Sequence, residues 1–436
     1  MIRRLDTGAL GVEGVARALD RAPANVDPEV RGQVAQIVAA VREKGDAALL
    51  ELTERLDRVT LMPGELAVTP AEWEAAERQV GARTVEALRY AAARIERFHR
   101  AAMPRSWSTT DGDGSVVGQE VRPLERVGIY VPGGRAAYPS TVLMTAVPAR
   151  VAGVKDVVLV SPPGPDRSLP PAVLAAARIA GVTEAYRVGG AQAVAALAYG
   201  TETIRRVDKI VGPGNIYVAL AKALVFGDVG IDMLAGPSEV VVIADGEAQA
   251  GCVAADLLAQ AEHDPMARAV LLTPSRGLRD RVQAETERRL ARLHRREIAS
   301  SALRAHGALV LTASLEEAVE VANRLAPEHL ELAVADPEAL LARVRHAGAV
   351  FLGGFTPEVV GDYVAGPSHV LPTGGTARFS SALGTEDFVK RLSVIRYSPR
   401  GLAAAWPHLA ELARVEGLDA HAAAAGARIT NTGGEP

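Results

Sequence analysis

Apolar residues recur at helical spacing through the first hundred positions of the chain. The segment VRGQVAQIVAAVREKGDAALLELTERL (30–56) carries this pattern, and a second such segment runs from Ala71 to about Arg100. Apolar positions at i, i+3, i+4 and i+7 fall on one face of a helix. We therefore predict two long amphipathic helices over these ranges.

The pattern of apolar residues changes at Val127, where short apolar runs bounded by Gly and Pro begin. Strands are predicted at GIYV (128–131), DVVLVS (156–161), EAYRV (184–188) and DKIVG (208–212), then at EVVVIAD (239–245), ARAVLLT (267–273), GALVLT (307–312), HLELAV (329–334) and GAVFLG (348–353). Helical segments at 170–180, 191–199, 215–224 and 247–263 separate several of them. Alternating strands and helices are typical of parallel sheets with helices on both faces.

The fold class predicted from this pattern is α/β, with two parallel-sheet units near 127–238 and 239–355. The tripeptide Gly-Pro-Ser occurs in both AGPSE (235–239) and AGPSH (365–369), an echo too short to prove a duplication. After about Leu383 the chain becomes rich in alanine, which predicts a separate helical C-terminal element.

Composition narrows the class of protein. With 436 residues, 48% hydrophobic and 23% charged, the chain is expected to be soluble, globular and divided into more than one domain. A net charge of -4 without a long basic run argues against a nucleic-acid partner. No apolar stretch is long enough to predict a membrane span, and the single cysteine favours a reducing cytoplasm.

Glycine-rich turns follow three of the predicted strands: VPGG (131–134), VGGAQ (188–192) and VGPGN (211–215). Such turns bring backbone N–H groups and a helix N-terminus close to phosphate. The usual dinucleotide fingerprint G-x-G-x-x-G is absent. Nucleotide binding and ordinary tight turns both stay open on this evidence.

Histidines and acids cluster in three further motifs: QAEHD (260–264), GDYVAGPSH (361–369) and EGLDAH (416–421). Gln260 and His263 share a helix face, so they could bind a metal or simply cap the helix. Asp362 with His369, and Glu416 with His421, could equally be solvated loop residues. Histidines near arginine or in the tail are predicted to be on the surface, namely His99, His294, His306, His346 and His408.

PEHLE (327–331) places Glu328 and His329 where a helix gives way to a strand. An adjacent acid and imidazole suit paired proton transfers near neutral pH. A solvated acid beside a strand-edge histidine is the alternative. Cys252 lies eight residues before Gln260, or roughly 12 Å at about 1.5 Å per residue, so we expect a small buried apolar residue rather than a nucleophile.

Taken together, the motifs resemble those of the histidinol dehydrogenase family. The stretches that carry the resemblance are ERVGIYVPGGRAAYPSTVLM (125–144), GGAQAVAALAYGT (189–201), KIVGPGN (209–215), DMLAGPSEV (232–240), AQAEHD (259–264), PEHLE (327–331), GDYVAGPSHVLPT (361–373) and EGLDAH (416–421). They occur in the family's order and span most of the chain. The segment between Asn215 and Asp232 is slightly short, with no motif missing.

The resemblance implies a site for zinc and two further sets of contacts. Zinc would be held by Gln260, His263, Asp362 and His421, leaving room for substrate at the metal. L-histidinol would be contacted by these four zinc ligands and, in addition, by Ser238, His329, His369 and Glu416. NAD would be bound by Tyr130, Gln192 and Asn215, which fall on the strand ends and glycine turns described above.

The implied reaction is a four-electron oxidation of L-histidinol to L-histidine through bound histidinal, with two NAD, at the end of histidine biosynthesis. His329 would act as base in both oxidations, and Glu328 would activate the water that hydrates the aldehyde. No thiol is needed. Zinc would serve mainly as a template for substrate.

The family fold implies two Rossmann-like domains, incomplete in lacking the fingerprint, with small terminal helical elements in a domain-swapped homodimer that shares its active sites. We expect an N-terminal arm at 1–26 and a first α/β domain at 27–126 and 239–383, carrying the zinc and catalytic residues. An NAD-binding domain is expected at 127–238 and a C-terminal dimerisation element at 384–436.

Three other functions stay open. A relative with the same fold and zinc could oxidise another small polyol, such as a sulfonated propanediol, although Glu416 argues against it. A zinc hydrolase would also use zinc, water and a glutamate base, but has no use for the nucleotide-type turns. A binding protein without activity is disfavoured because every expected functional position is filled.

Overall fold

The computed structural model describes residues 2–20, 27–133 and 137–430. Within it the chain forms two compact units, one from 1–102 with 124–388 and the other from 103–123 with 389–436. Parts of the predicted N-terminal arm (1 and 21–26), Gly134 of the first glycine turn with residues 135 and 136, and the tail 431–436 lie outside the described residues.

Helices and strands alternate through most of the larger unit. The helices are α1 (Thr7–Leu19), α2 (Pro28–Lys44), α3 (Asp46–Leu52), α4 (Pro70–Val80), α5 (Ala82–Ala101), α6 (Pro139–Ala152), α7 (Pro171–Ala180), α8 (Gly190–Tyr199), α9 (Ile216–Val225), α10 (Ala250–Ala261), α11 (Arg276–Leu290), α12 (Arg296–His306), α13 (Leu315–Leu325), α14 (Pro337–Leu341), α15 (Glu358–Tyr363), α16 (Pro399–Glu416) and α17 (Asp419–Thr430). The strands are β1 (Arg3–Asp6), β2 (Trp107–Thr110), β3 (Val116–Pro123), β4 (Arg126–Tyr130), β5 (Asp156–Ser161), β6 (Glu184–Arg187), β7 (Lys209–Val211), β8 (Gly230–Ile231), β9 (Glu239–Ala244), β10 (Arg268–Thr273), β11 (Ala308–Leu311), β12 (His329–Ala333), β13 (Ala349–Leu352) and β14 (Val389–Arg396). A π-helical turn at Thr53–Asp57 and 3-10 turns at Pro63–Glu65, Thr376–Arg378 and Thr385–Phe388 complete the elements.

Two parallel sheets form the core of the larger unit. Strands of the first lie in the order β6-β5-β4-β7-β8, and those of the second in the order β1-β11-β10-β9-β12-β13. Every pairing in both sheets is parallel. The nine predicted strands are all present, and the prediction of an α/β fold with parallel sheets is confirmed.

The two sheets share one strand order. Counting from β4 in the first sheet and from β9 in the second, five strands lie in the order 3-2-1-4-5, and the second sheet adds β1 at its edge. The order therefore reverses between β4 and β7 in one sheet and between β9 and β12 in the other. The shared strand order extends over five strands, whereas the repeat in the sequence is only the tripeptide Gly-Pro-Ser.

Helices from the N-terminal region pack on the five-stranded sheet. Apolar residues of 34–66 share a buried core with Val158, Val160 and residues of α8 and α9. Part of the predicted first domain (27–126 and 239–383) therefore packs on the five-stranded sheet, and the division into domains stays a prediction. Local periodicity shows which face of a helix is buried but not which sheet buries it, so the sequence could not make that choice.

Glycine divides both helices that we predicted as continuous. Gly45, with φ of 54°, separates α2 from α3, and Gly81, with φ of 80°, separates α4 from α5. Side chains other than that of glycine rarely adopt such positive φ angles. The apolar pattern continues across each break because both helices of a pair bury a face.

His99 is a second correction, since it was predicted to be on the surface. It lies on the buried face of α5 with Leu88 and Ile95 and is 1% exposed. Its ring packs edge-on against Phe98, and among the described residues neither ring nitrogen has a hydrogen-bond partner. Burial lowers the pKa of His99 to about 4. Helical spacing, rather than the neighbouring arginines, decides its position.

The smaller unit combines an antiparallel sheet with two helices. Its strand order is β14-β3-β2, and α16 and α17 follow β14. The prediction of a purely helical C-terminal element is therefore wrong at 389–396, and residues 103–123 group with this segment rather than with a large domain. Charged and polar residues interrupt the apolar ones in β14, so its sequence does not show the apolar run of a buried strand. In the described part of the chain, no helix has both the length and the apolar character to cross a membrane.

Candidate active site

Glu328 and His329 lie at the amino end of β12. Helix α13 ends at Leu325 and is followed by Ala326, which adopts a left-handed conformation with φ of 46°. Pro327 follows and cannot continue the helix. His329 then pairs with Val240 of β9, at the point where the strand order reverses. Both side chains are buried, each residue being 5% exposed, so the alternative of a solvated loop acid is wrong.

One ring nitrogen of His329 is fixed by the backbone. Its Nδ1 lies 3.1 Å from the carbonyl oxygen of Glu239. A carbonyl can only accept a hydrogen bond, so Nδ1 carries the proton and Nε2 keeps a free lone pair in the neutral ring. Burial lowers the pKa of His329. The ring is therefore neutral near pH 7 and can accept a proton at Nε2.

The carboxyl of Glu328 accepts two hydrogen bonds, which favour its charged form. Its Oε2 accepts a hydrogen bond from the backbone N–H of Glu239 at 2.9 Å, and Ser238 also hydrogen-bonds this carboxyl. Burial nevertheless raises the pKa of Glu328 well above its ordinary value. The same Oε2 lies 3.8 Å from Nδ1 of His329. Ser238, Glu328 and His329, predicted from separate motifs, are thus neighbours.

Glu239 organises this pair, and the sequence analysis missed it. Its backbone contacts both Glu328 and His329, while its own carboxylate accepts from the N–H groups of Glu328 and Gly374. An ion pair with Arg268 balances the buried charge. Glu239 opens a strand that is otherwise apolar, and a fully buried acid in such a strand is unusual. An acidic residue at the start of an otherwise apolar strand is the sequence feature that could have identified Glu239.

Gln260 is fully buried on the last turn of α10. Neither its side-chain oxygen nor its side-chain nitrogen has a hydrogen-bond partner in the described structure. Leaving a buried amide unsatisfied is costly. His263 follows on the next turn and is exposed, and its backbone N–H donates to the carbonyl of Gln260 at 3.2 Å.

Asp362 and His369 come together in and after α15. Nδ1 of His369 lies 3.0 Å from the carbonyl oxygen of Asp362 and 4.0 Å from its Oδ1. Nε2 of His369 lies 3.3 Å from the hydroxyl of Thr141 on α6. Burial lowers the pKa of His369. This loop therefore connects the six-stranded sheet with the helix that follows β4.

These residues suit a metal, although no complete metal site is formed. Across 2–20, 27–133 and 137–430, no group of three or more His, Cys, Asp or Glu side chains is arranged to hold an ion. The larger unit supplies an imidazole from His263, a carboxylate from Asp362 and the orphaned amide of Gln260. Both His329 and His369 experience the charges of Asp362 and His263, so these groups face a common region. The unsatisfied amide oxygen is the feature that a metal would explain.

The remaining predicted site residues lie in the smaller unit. Glu416 ends α16 and His421 lies in α17, and both are exposed. Cys252 lies on the continuous helix α10, as the spacing argument required, but it is exposed rather than buried. It occupies the side of the helix opposite Val253, Ala254 and Leu257.

A cleft of about 1350 Å³ lies on the five-stranded sheet, and Tyr130, Gln192 and Asn215 all line it. It opens at the carboxyl ends of β4 and β7, where the strand order reverses. Ligands of parallel α/β sheets commonly bind at such a crevice. Residues of α2 and α3 form another wall, which the sequence analysis did not predict.

The glycine turns shape this cleft. Gly212 has φ of 112°, and a Cβ there would lie 2.3 Å from the carbonyl oxygen of Tyr130. Gly190 has φ of 62°, and its N–H donates to the Tyr130 hydroxyl at 3.1 Å. Burial raises the pKa of Tyr130 to about 12, so the hydroxyl stays protonated. Asn215 caps α9 by accepting from the N–H groups of Tyr217 and Val218.

Asp57 is a cleft residue that the sequence analysis missed. Gln192 is 1% exposed, and its Nε2 donates to Oδ2 of Asp57 at 3.5 Å. The Gln192 side-chain oxygen has no partner in the described structure. Burial raises the pKa of Asp57 to about 6. The next residue, Arg58, has φ of 59°, a strained conformation of the kind that clusters at functional sites.

The fold and these two sites define a class: an α/β enzyme with a nucleotide-sized cleft on one sheet and a buried acid–imidazole pair on the other. Sequence comparison gives the family within that class. The model of the family described as histidinol dehydrogenase matches residues 20–429. The chain belongs to the histidinol dehydrogenase family.

Relatives and a solved structure agree with this assignment. The chain is 57% identical over 401 residues to histidinol dehydrogenase of Geobacillus kaustophilus, covering 92% of this chain and 94% of that protein. It is 53% identical over 425 residues to histidinol dehydrogenase of Cereibacter sphaeroides, covering 98% of each. The crystal structure of histidinol dehydrogenase from Elizabethkingia anophelis is 35% identical, with a TM-score of 0.95 and 99% of each chain covered.

Proposed function

We propose that the chain oxidises L-histidinol to L-histidine through bound histidinal, using zinc and two NAD. The observation that carries the proposal is the buried Glu328–His329 pair, in which one backbone carbonyl leaves Nε2 of His329 free to accept a proton. Membership of the histidinol dehydrogenase family supplies the substrate.

Gln260, His263 and Asp362 would hold zinc, together with the partner's His421. Bound zinc would supply a template that grips the imidazole and amino groups of histidinol. Ser238, His369 and Glu416 would contact the rest of the substrate. The unpartnered amide of Gln260 supports this ligand set.

Tyr130, Gln192 and Asn215 would bind NAD in the cleft of the five-stranded sheet. Bound NAD would accept the hydride in each oxidation. The strand order 3-2-1-4-5 and the position of the cleft at the reversal support a Rossmann-like domain without the usual fingerprint. The N-termini of α8 and α9, both lying at this cleft, would favour the negative charge of the pyrophosphate.

Two residues would move the protons. His329 would take the hydroxyl proton of the alcohol at Nε2 while hydride leaves the adjacent carbon. Glu328, whose pKa burial raises well above its ordinary value, would then take a proton from water as the water oxygen bonds to the aldehyde carbon. The carbonyl oxygen would take the proton that His329 gained in the first step, which completes the hydrate and returns His329 to its neutral form. His329 would take the hydroxyl proton of the resulting hydrate in the second oxidation. This sequence needs no thiol, so the exposed Cys252 has no part in it.

The rest of the proposed assembly follows from the family. We place the enzyme in the cytoplasm as a homodimer whose C-terminal elements are exchanged, with neither nucleic acid nor membrane as a partner. The smaller unit, which contains Glu416 and His421, would be the exchanged element.

A substrate panel tests the function. Purified protein should reduce NAD with L-histidinol and much less with simple diols or a sulfonated propanediol. Chelation should abolish the activity and Zn²⁺ should restore it, while Cys252→Ser should remain active. Preference for the sulfonated propanediol would instead support the related polyol dehydrogenase, and a dead but folded Cys252→Ser protein would refute the thiol-free route.

A further inference from the structure

A row of three carboxyl groups, two of them buried, lies behind the proposed zinc and catalytic residues, and the proposed reaction does not use it. The row consists of Asp256, Glu331 and Glu358. Glu331 is 3% exposed and Glu358 is 1% exposed, whereas Asp256 is half-buried.

Each member of the row shares an element and a face with one site residue. Asp256 precedes Gln260 by four residues on α10, and Glu358 precedes Asp362 by four on α15. Residues four apart are neighbours on a helix surface. Glu331 follows His329 by two on β12, so both point to the same side of the sheet.

Glu331 joins the two helices. Its Oε1 accepts a hydrogen bond from the backbone N–H of Glu358 at 2.7 Å. Glu358 is the first residue of α15, a six-residue helix with no side-chain cap from its own N-cap residue. The carboxyl of Glu331 also hydrogen-bonds to the carboxyl of Asp256. One side chain on β12 therefore bonds to both α10 and α15.

Protonation of Glu331 explains how its carboxyl can accept one hydrogen bond and donate another. Burial raises the pKa of Glu331 well above its ordinary value and that of Asp256 to about 6. A protonated carboxyl has an O–H group that donates and a carbonyl oxygen that accepts. Glu331 can thus accept from Glu358 through one oxygen and donate to Asp256 through the other.

Stability alone does not explain the row. Well-packed apolar residues of similar volume often replace buried ionisable groups without loss of stability. The carboxyl Oε2 of Glu358 even lacks a hydrogen-bond partner in the described structure, 4.0 Å from Nδ1 of His329. A role in holding the neighbouring site residues in place would explain why these three carboxyl groups are present where apolar residues would pack as well.

We propose that Glu331 is a positioning residue, which holds Gln260 and Asp362 at the spacing of one ligand set by bonding to both helices that carry them. The inference rests on the proposed function, because the ligand set is taken from it. It predicts that the two hydrogen bonds of Glu331, rather than its charge or its bulk, determine zinc affinity.

Three variants separate these possibilities, with zinc alone as the probe and chelator competition as the measurement. Glu331→Leu removes both hydrogen bonds. Glu331→Gln keeps an oxygen that can accept from Glu358 and a donor for Asp256. Thr286→Val is the matched control, since it removes a buried hydrogen bond to Val282 on α11, which carries no site residue.

Glu331→Leu should weaken zinc binding by about 10–100-fold, as changes in groups that support metal ligands typically do. Glu331→Gln and Thr286→Val should bind zinc as tightly as the unmodified protein, even where thermal unfolding shows lower stability. If Glu331→Leu does not fold, Asp256→Ala takes its place, because it cuts only the bond to α10 at a half-buried position and should weaken zinc binding in the same direction.

Two results would overturn the inference alone: unchanged zinc affinity in a folded Glu331→Leu protein (or in Asp256→Ala where Leu fails to fold), or equal losses in the Leu and Gln variants. An unmodified protein that binds no zinc would instead overturn the proposed function. Measuring the unmodified protein first therefore tells the two failures apart.

Discussion

The two catalytic candidates differ in what each can do with a proton, although they are adjacent in the chain. His329 is neutral with Nε2 free, because its other nitrogen is bonded to the carbonyl of Glu239. Glu328 is a carboxyl whose pKa is raised by burial while backbone and hydroxyl donors still support its charged form. One group therefore suits the alcohol and the hydrate, and the other suits water.

Glu328→Gln tests this division of labour. The variant cannot accept a proton, so oxidation of supplied histidinal should fall by about 10²–10⁴-fold, with a much smaller effect on the first oxidation. His329→Asn should slow both steps. Single-turnover NADH formation from histidinol and from histidinal measures each step separately, and equal damage to both by Glu328→Gln would contradict the assignment.

His99→Leu tests how much the buried histidine on α5 lowers the free energy of unfolding at acidic pH. The pKa of His99 is about 4 in the folded protein and 6.5 as an ordinary value. Between these values the unfolded chain binds more protons, so the free energy of unfolding falls as pH drops from about 6.5 to about 4. The leucine variant should lose this part of the pH dependence. Thermal unfolding at pH 7.5 and pH 5 provides the comparison, and an unchanged difference between the two pH values would show that His99 does not contribute.

Candidate site residues were proposed where several polar groups share a short motif. PEHLE holds Glu328 and His329 side by side, and QAEHD holds Gln260 and His263 three positions apart. Glu239, Glu331 and Asp57 were not found, because their roles depend on neighbours from other strands and helices. His99 was misplaced for the same reason: the adjacent arginines are visible in the sequence, whereas the buried face of α5 is decided by packing.

Among the elements, α9 begins after a residue that caps the helix and is also proposed to bind NAD. Asn215 accepts hydrogen bonds from two N–H groups at the start of the helix. It also lines the cleft proposed for NAD. A single substitution would disturb both roles, so two variants are needed to separate them.

Asn215→Asp should keep the cap, because Asp and Asn are about equally good N-cap residues. Its negative charge should raise the KM for NAD by opposing the pyrophosphate. Asn215→Ala should lose about 1 kcal/mol of stability and also bind NAD less well. Thermal unfolding and NAD saturation curves check the pair, and normal NAD binding by both variants would remove Asn215 from the cofactor site.

Nine of the eleven strands in the two parallel sheets were predictable because they are short apolar runs, most of them followed closely by glycine or proline; β1 and β8 were not predicted. The breaks at Gly45 and Gly81 were not, since a lone glycine within an apolar helical pattern gives no sign of its φ angle. The strand β14 was missed because its residues are largely exposed and its apolar positions form neither a continuous run nor a regular alternation. These differences separate what a local pattern determines from what tertiary packing determines.

At the scale of the whole molecule, the larger unit brings together two sheets of the same strand order. The cleft on one lies at the carboxyl ends of its strands. The acid–imidazole pair on the other lies at the amino ends of β9 and β12. The rule that ligands bind at carboxyl ends therefore finds the cleft but would have missed Glu328 and His329.

Mixing two inactive variants tests the proposed exchange of C-terminal elements. Glu328→Gln and His421→Ala are each expected to be nearly inactive. If each site uses the partner's His421, refolding the two together gives dimers in which one site has both defects and the other has none. Activity should reappear on mixing. Its absence, with mixed dimers confirmed by native mass spectrometry, would show that each chain supplies its own His421.

The most direct test of the central claim is the number of NADH molecules formed for each histidinol consumed. A single site that carries out both oxidations should yield two NADH and one L-histidine, with no free aldehyde released. The measurement follows NADH by absorbance and the products by chromatography under limiting histidinol. One NADH per histidinol with histidinal accumulating, or no reaction with histidinol, would contradict the account.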